Sequence, residues 1–572
     1  MPAHSIHATR KALRTLLTMK PLSLAVFASL LPVSGFAASP GVPDAGSILQ
    51  QVRPTQPATP ASIDSGLRIE QPGGTSLPVS EAFSVKTIQI TGNTLIDTAR
   101  LHALVASAEG QSQSLPQLGK LATAITAYYQ AEGYPLARAI IPAQVIRDGV
   151  VVFQVIEARY GKISVSNHSQ VRDALLQATL APLESGQVVS AARMNRSLLL
   201  LSDIPGLSSS AVLKPGEAVG SSDLAVSVEA DPALSGRLGL DNYGNTYTGR
   251  SRVSAALNLL NPLHVGDVLS LNVLSAGHDM NDVHLGYEAL LNGEGTRLGA
   301  SFARLHYRLG DALAALNADG SATVASAWAK HPLLRSQTAN AWAQIQYDQT
   351  HLRDRVKVSQ VSTDRTLRNA TLSLNGDLRD SLLSGGINTA SVSWTGGKVD
   401  FDDLAAAAAD RATAQSAGGF SKWNLSAARL QRIGARDSVY ASYAGQWALS
   451  NLDASMKMSV GGPYSVRAYA AGAISGDRGC LESLEWRHEL GSLAGQWQGV
   501  AFVDSAQLTI NQSTWSAGPN RATLSGAGLG LNWFGPQQLS ARIYMASRIG
   551  AKPELLANAA STRAWAELGW GF

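Results

Sequence analysis

Between Leu234 and Phe572 the sequence alternates apolar and polar residues in segment after segment. That pattern limits the fold more than any other feature. Leu269, Leu271 and Val273 fall on one side of an extended segment, and Ser270 and Asn272 on the other. Ala341, Ala343, Ile345 and Tyr347 alternate with Trp342, Gln344, Gln346 and Asp348. Leu539, Ala541, Ile543 and Met545 alternate with Ser540, Arg542, Tyr544 and Ala546. A period of two is that of a strand with one apolar and one polar face. Only 15% of the residues are charged, against about 25% in an ordinary soluble protein. Yet past the N-terminus there is no apolar run of about 18 residues, the length a membrane helix needs. Strands can cross lipid only if every backbone N–H and C=O is paired, which requires closure. The expected fold is therefore an all-β transmembrane barrel over 232–572. Sixteen antiparallel strands would leave roughly 21 residues for each strand and connector, against about 9–11 needed to cross. The Ala405 to Ala409 region, within Asp402 to Gly419, reads as a long surface loop or a short helix within one.

The start of the chain reads as an export signal over 1–38. Lys11, Arg14 and Lys20 precede the apolar run from Pro21 to Phe36, and the small residues Ala37 and Ala38 follow. Residues 39–56 hold a short helix, with Asp44 as its cap and Ser47, Ile48, Leu49 and Val52 within it. Pro54, Pro57 and Pro60 stop that helix, and Pro72, Gly73 and Gly74 continue a Pro-rich linker over 57–82. The single cysteine, Cys480, excludes an intramolecular disulfide and reads as a small apolar residue. A net charge of +4 gives no argument for nucleic acid.

Two α+β modules precede the barrel. In the first, 83–158, Phe83 to Ile90 alternates as a strand and Gly92-Asn93 ends it. Helical spacing follows over Ala99 to Ala106 and Leu115 to Tyr129. Strands follow over Ala137 to Pro142 and Val150 to Glu157, with Asp148-Gly149 as a hairpin turn. The second, 159–231, repeats the layout: a strand at Lys162 to Val165, helices at Val171 to Leu180 and Ala191 to Ser202, and strands at Leu207 to Lys214 and Asp223 to Ala230.

The run "FSVKTIQITGN" followed by β-α-α-β-β resembles a POTRA domain, the periplasmic module of polypeptide transport. With "DNYGNTYTGRSR" (Asp241 to Arg252) and "LNPLHVGDVLSL" (Leu260 to Leu271), the whole order resembles the outer-membrane transporters of two-partner secretion, the TpsB type. That resemblance implies a Gram-negative outer-membrane location with POTRA domains in the periplasm. It implies capture of an unfolded TpsA-type exoprotein by strand addition and its export through the pore. It implies contact with outer-membrane lipid and with the barrel-assembly machinery, and no cofactor or metal. The closing segment, with Leu568, Trp570 and Phe572 on one face, resembles the assembly signal of outer-membrane barrels.

The resemblance also implies site residues. Val466, Arg467, Ala468 and Tyr469 match a Val-Arg-Gly-Tyr/Phe loop motif that reaches into the barrel, with alanine in the glycine place. Gly476, Asp477, Arg478 and Gly479 follow it. Phe502 and Asp504 match Phe-x-Asp-x-Gly, with Ala506 for the glycine. Strand parity puts Gln498, Val500, Phe502 and Asp504 on one face, and Trp497, Ala501 and Val503 on the other. Asp504 then points into the lumen, where Arg467 reaches it with a planar fork of donors. The 39–56 helix is expected to plug the pore at rest.

No phosphate loop, HExxH pair or G-x-S-x-G elbow occurs, so no enzymatic activity is expected. A factor that inserts other barrels is the alternative function. A passive solute porin fits poorly with two periplasmic modules.

Overall fold

The computed structural model describes residues 42–52, 64–70, 78–556 and 560–572. The expected export signal over 1–38 and parts of the 57–82 linker lie outside them.

Helix α1 (Ala45–Val52) and strand β1 (Leu67–Ile69) come first. The first α+β unit then contains β2 (Phe83–Val85), β3 (Thr87–Thr91), α2 (Thr98–Ala103), β4 (Gln111–Gln113), α3 (Leu115–Ala131), β5 (Arg138–Ile140) and β6 (Val150–Ile156). The single strand expected from Phe83 to Ile90 is two. β2 pairs with β4, while β3 runs parallel to β6. The chain changes sheets at Lys86, where the N–H groups of Lys86 and Thr87 both donate to the Gly149 carbonyl. The expected hairpin forms between β5 and β6, which are antiparallel, but its loop is longer than a two-residue turn: β5 ends at Ile140, opposite Gln154. Asp148 and Gly149, both at positive φ, make the tight turn that enters β6. Helix α3 starts on a Ser114/Gln117 capping box and buries Leu118, Ala122, Ile125 and Tyr129 on one stripe. Beneath it Glu157 accepts hydrogen bonds from Thr94 N–H (2.7 Å), Leu95 N–H (2.8 Å) and the Tyr129 hydroxyl (2.9 Å). Burial alone would raise its pKa, but these donors outweigh burial and hold it below the ordinary glutamate value.

The second unit contains β7 (Arg159–His168), α4 (Asp173–Leu180), α5 (Ala191–Ser202), β8 (Leu207–Pro215) and β9 (Ser221–Ala230). Its sheet has the order β1-β8-β9-β7. The linker therefore contributes a strand that the Pro-rich reading missed. β1 lies parallel to β8, with Leu67 beside Ala211 and Ile69 beside Leu213, and both apolar side chains pack on the unit's core. It covers a sheet edge that would otherwise present unpaired backbone groups.

Sixteen antiparallel strands, from Leu234–Asp241 to Thr562–Gly571, close into a barrel among the described residues. The last strand pairs with the first, Gly571 beside Arg237 and Glu567 beside Asp241. Leu568, Trp570 and Phe572 are exposed on the outer face. The longest strands, Ala318–Arg335, Ala339–Val356 and Val361–Asp380, run 18, 18 and 20 residues, nearly twice the roughly 9–11 that cross a bilayer. A helix, Leu404–Arg411, lies in the connection expected as a surface loop, capped by the Asp403 carboxylate on Ala405 N–H at 2.6 Å.

The second unit is tied to the barrel rim. Asp203, just after α5, accepts from Arg335 Nε at 2.7 Å and Nη2 at 2.8 Å. Arg335 also donates to Asn340 (3.0 Å), which donates to Asp377 (2.9 Å). Asp203→Ala would leave a buried guanidinium without its carboxylate. Breaking a buried pair costs about 3–5 kcal/mol, and the partial exposure of Asp203 puts this one at the low end. A spin-label distance between α5 and the barrel rim should broaden in the variant. An unchanged distribution would show that the surrounding contacts alone hold the unit.

Candidate functional site

A long connection between strands Asp437–Ala448 and Arg478–Ser492 turns back into the lumen. Its stem is a two-stranded ladder, Met458–Val460 against Ile474–Gly476. Its tip carries Val466, Arg467, Ala468 and Tyr469, all buried.

Arg467 is 4% exposed and Asp504 0%. Arg467 Nε donates to Asp504 Oδ2 at 2.8 Å and Nη2 to Oδ1 at 2.7 Å, a two-pronged pair. The Arg467 backbone N–H adds a third bond to the same carboxylate at 3.1 Å. Nη1 reaches Glu485 at 2.7 Å and Nη2 reaches Ser483 at 3.1 Å. The guanidinium carbon lies 3.4 Å from the Phe502 ring centroid, where the negative face of the ring attracts a cation. Trp565 Nε1 donates to the Arg467 carbonyl at 2.7 Å. Arg487 completes the group by binding the other oxygen of Glu485 at 2.7 Å. Two arginines thus face two carboxylates, so the buried charges balance.

Alanine stands where the motif has glycine, yet Ala468 is not among the residues with positive φ. The room it needs comes from the wall. A Cβ on Gly526 would lie 2.5 Å from that of Ala468, so this barrel glycine admits the loop's methyl group. Downstream, Asp477 anchors the stem, accepting from Leu452 N–H at 3.0 Å and Gln512 N–H at 2.7 Å and pairing with Lys457 at 3.0 Å. Arg478 Nε caps the Ala448 carbonyl at 2.8 Å. Gly476 and Gly479 lie where a Cβ would meet Thr509 O and the Leu508 side chain, at 2.6 and 2.3 Å.

Helix α1 sits inside the barrel. Ala45, Ile48 and Leu49 are buried among Met280, Leu305, Tyr307, Leu352 and Leu367. Ser47 N–H donates to the Asp44 carboxylate at 2.9 Å, and Val52 is half-buried. Asp44 also meets a second buried arginine. Arg365 donates to Asp44 on the helix (2.6 Å), to Asp354 on the wall (2.7 Å) and to Asp453 at the base of the long loop (2.5 Å). Asp354 further accepts from Ala45 N–H at 2.7 Å and the Tyr307 hydroxyl at 2.6 Å. Gln50 donates to the Ser455 carbonyl. One guanidinium therefore joins three elements of the molecule, and three carboxylates surround it. Sequence reasoning did not find Arg365, Asp354 or Asp453, nor Glu485 and Ser483. For the last two, strand parity from Asp504 held the signal. Among the described residues no group of three or more His, Cys, Asp and Glu has the geometry to hold a metal.

The model of the family described as haemolysin secretion/activation protein ShlB/FhaC/HecB matches residues 220–533. That of the ShlB-type POTRA domain matches residues 83–158. The heme/hemopexin transporter protein HuxB of Haemophilus influenzae (strain 86-028NP) is 26% identical over 457 residues, 79% of this chain and 80% of HuxB. The outer membrane transporter CdiB of Dickeya dadantii (strain 3937) is 23% identical over 433 residues, 73% of each chain. The solved structure of CdiB from Escherichia coli superposes with a TM-score of 0.69 at 20% identity, covering 88% of this chain and 93% of that one.

Proposed function

This chain belongs to the haemolysin secretion/activation protein family ShlB/FhaC/HecB, and from that premise we propose how it exports a partner protein across the outer membrane. An unfolded TpsA-type exoprotein meets the α+β units in the periplasm and leaves through the barrel. The second unit acts as a further POTRA domain beside the first. The edge of β8 already takes an extended segment of this chain, β1, so it has the form that strand addition by a client needs. Trp570 and Phe572 serve the assembly machinery that places the barrel in lipid.

The observation that carries the reading is what fills the lumen. Helix α1 and the long loop are held to the wall through Arg365 and Arg467, by ion pairs and hydrogen bonds beside small apolar contacts. Polar contacts of this kind can exchange for water or for a passing chain. Cells producing the exoprotein with this protein should release it to the medium, and cells lacking this protein should retain it. A factor that inserts other barrels would instead leave release of the exoprotein unchanged and deplete other outer-membrane barrels when removed.

A further inference from the structure

The outer surface of the barrel is unevenly charged. On strand Arg297–Arg308, the residues Arg304, His306 and Arg308 point outward and are exposed. On strand Ala339–Val356, His351, Arg353 and Arg355 do the same. Strand Ala318–Arg335 separates them. The register places Thr323 between Arg304 and His351, Ser321 between His306 and Arg353, and Asp319 between Arg308 and Arg355. Two basic columns thus stand about 10 Å apart, two inter-strand spacings, over a floor of the Thr323 and Ser321 hydroxyls and, at its far end, the Asp319 carboxylate.

Some of this charge is already matched. Arg353 pairs with Asp364 at 3.0 Å, and the Asp319 carboxylate goes to Lys357. Arg304, Arg308 and Arg355 have no carboxylate partner among the described residues. Immediately toward the α+β end, Phe302, Tyr347 and Leu372 are exposed on the same face, as a lipid-facing band requires. The outward positions near the far ends of other strands differ. They include Asn281, Glu482, Gln507, Thr523 and Ser547 and the exposed base Arg521, while Arg368 and Lys398 on the two neighbouring strands already share the Asp400 carboxylate.

We propose that this face binds a phosphorylated lipid headgroup of the outer leaflet. The phosphates sit between the two arginine columns, where the guanidinium fork matches phosphate oxygens. The acyl chains lie on Phe302, Tyr347 and Leu372. A soluble anion would gain the charge contacts but not the apolar band, so the site favours a lipid over free phosphate. The proposal needs only the barrel's orientation in the membrane and does not depend on export.

The test uses the full-length protein in discs of phosphatidylcholine, alone or with equal amounts of phosphatidic acid and phosphatidylglycerol, the first a monoester that carries more charge than the diester of the second. Native mass spectrometry counts the lipids retained. Phosphatidic acid should be enriched over phosphatidylglycerol, and inorganic phosphate should not displace it. The triple variant R304Q/R308Q/R355Q removes three charge-assisted contacts and should weaken retention about tenfold or more, while R521Q should not. Wild-type retention in the triple variant, equal loss in R521Q, or displacement by inorganic phosphate would each overturn the proposal. Heat-modifiable gel migration reports whether the triple variant is folded. If it is not, the single variants R304Q and R355Q decide by the same readout.

Discussion

Arg467→Ala is expected to stop export while leaving the barrel in the membrane. The substitution strips Asp504, which has no solvent exposure, of its two-pronged partner. Only the residue-467 N–H and the Ser483 hydroxyl would remain to it. Loss of one member of a buried pair costs about 3–5 kcal/mol. That loss falls on the loop, because barrel closure rests on the strand ladders, which Arg467 does not join. Glu485 keeps Arg487, so the disturbance is local. Arg467→Lys keeps the charge but replaces a fork with a point donor, which cannot serve Asp504, Glu485 and Ser483 together. Partial export is expected. Exchanging the charges, with aspartate at 467 and arginine at 504, should not restore function. Glu485 and the Phe502 ring would then face an anion where they now hold a cation. Exoprotein in the medium, set against folded barrel in the membrane fraction, measures all three variants. Wild-type release from Arg467→Ala would show that the pair has no part in transport.

How much of this was legible in the sequence depended on whether the deciding contact was local. Barrel facing was legible, because a period of two is fixed by the backbone itself. It put Asp504 in the lumen, and the loop motif supplied Arg467. Glu485 was within reach of the same rule, since Ser483 and Asp504 are paired across strands and Glu485 lies two residues on. The crossover at Lys86 did leave a mark, a one-residue slip in the alternation: the apolar residues Phe83 and Val85 are followed by Ile88 and Ile90, with Lys86 and Thr87 both polar between them. That slip lets two different sheets bury Val85 and Ile88 in one core. Strand β1 is three residues long and depends wholly on the edge of β8. Arg365 had no local signature, and its partner Asp44 is 321 positions away. Ion clusters assembled from distant segments leave no periodicity to read.

Removing residues 44–56 should raise the ion conductance of the purified protein in a planar bilayer. Helix α1 fills lumen space with three small or medium apolar side chains, Ala45, Ile48 and Leu49. Full burial of a residue such as Ile or Leu is worth about 1.5–3 kcal/mol, so apolar contact alone holds the helix by only a few kcal/mol. Asp44 adds its pair with Arg365. The charge count explains why that pair is releasable. With the helix in place one guanidinium faces three carboxylates. With the helix gone it still has Asp354 and Asp453, and the cluster is nearer balance. Departure of the helix therefore strands no buried cation, the usual source of a large penalty. Asp44→Asn should raise conductance less than the deletion, because the apolar contacts and the Ala45–Asp354 bond remain. Arg365→Ala should act at both ends of the cluster. It leaves Asp44, Asp354 and Asp453 facing one another, which repels the helix and loosens the base of the loop. Conductance should rise and export should fall, whereas the deletion should raise conductance and leave export in place. Unchanged conductance after the deletion would show that α1 does not close the pore. Equal export from Arg365→Ala and wild type would separate the cluster from the loop.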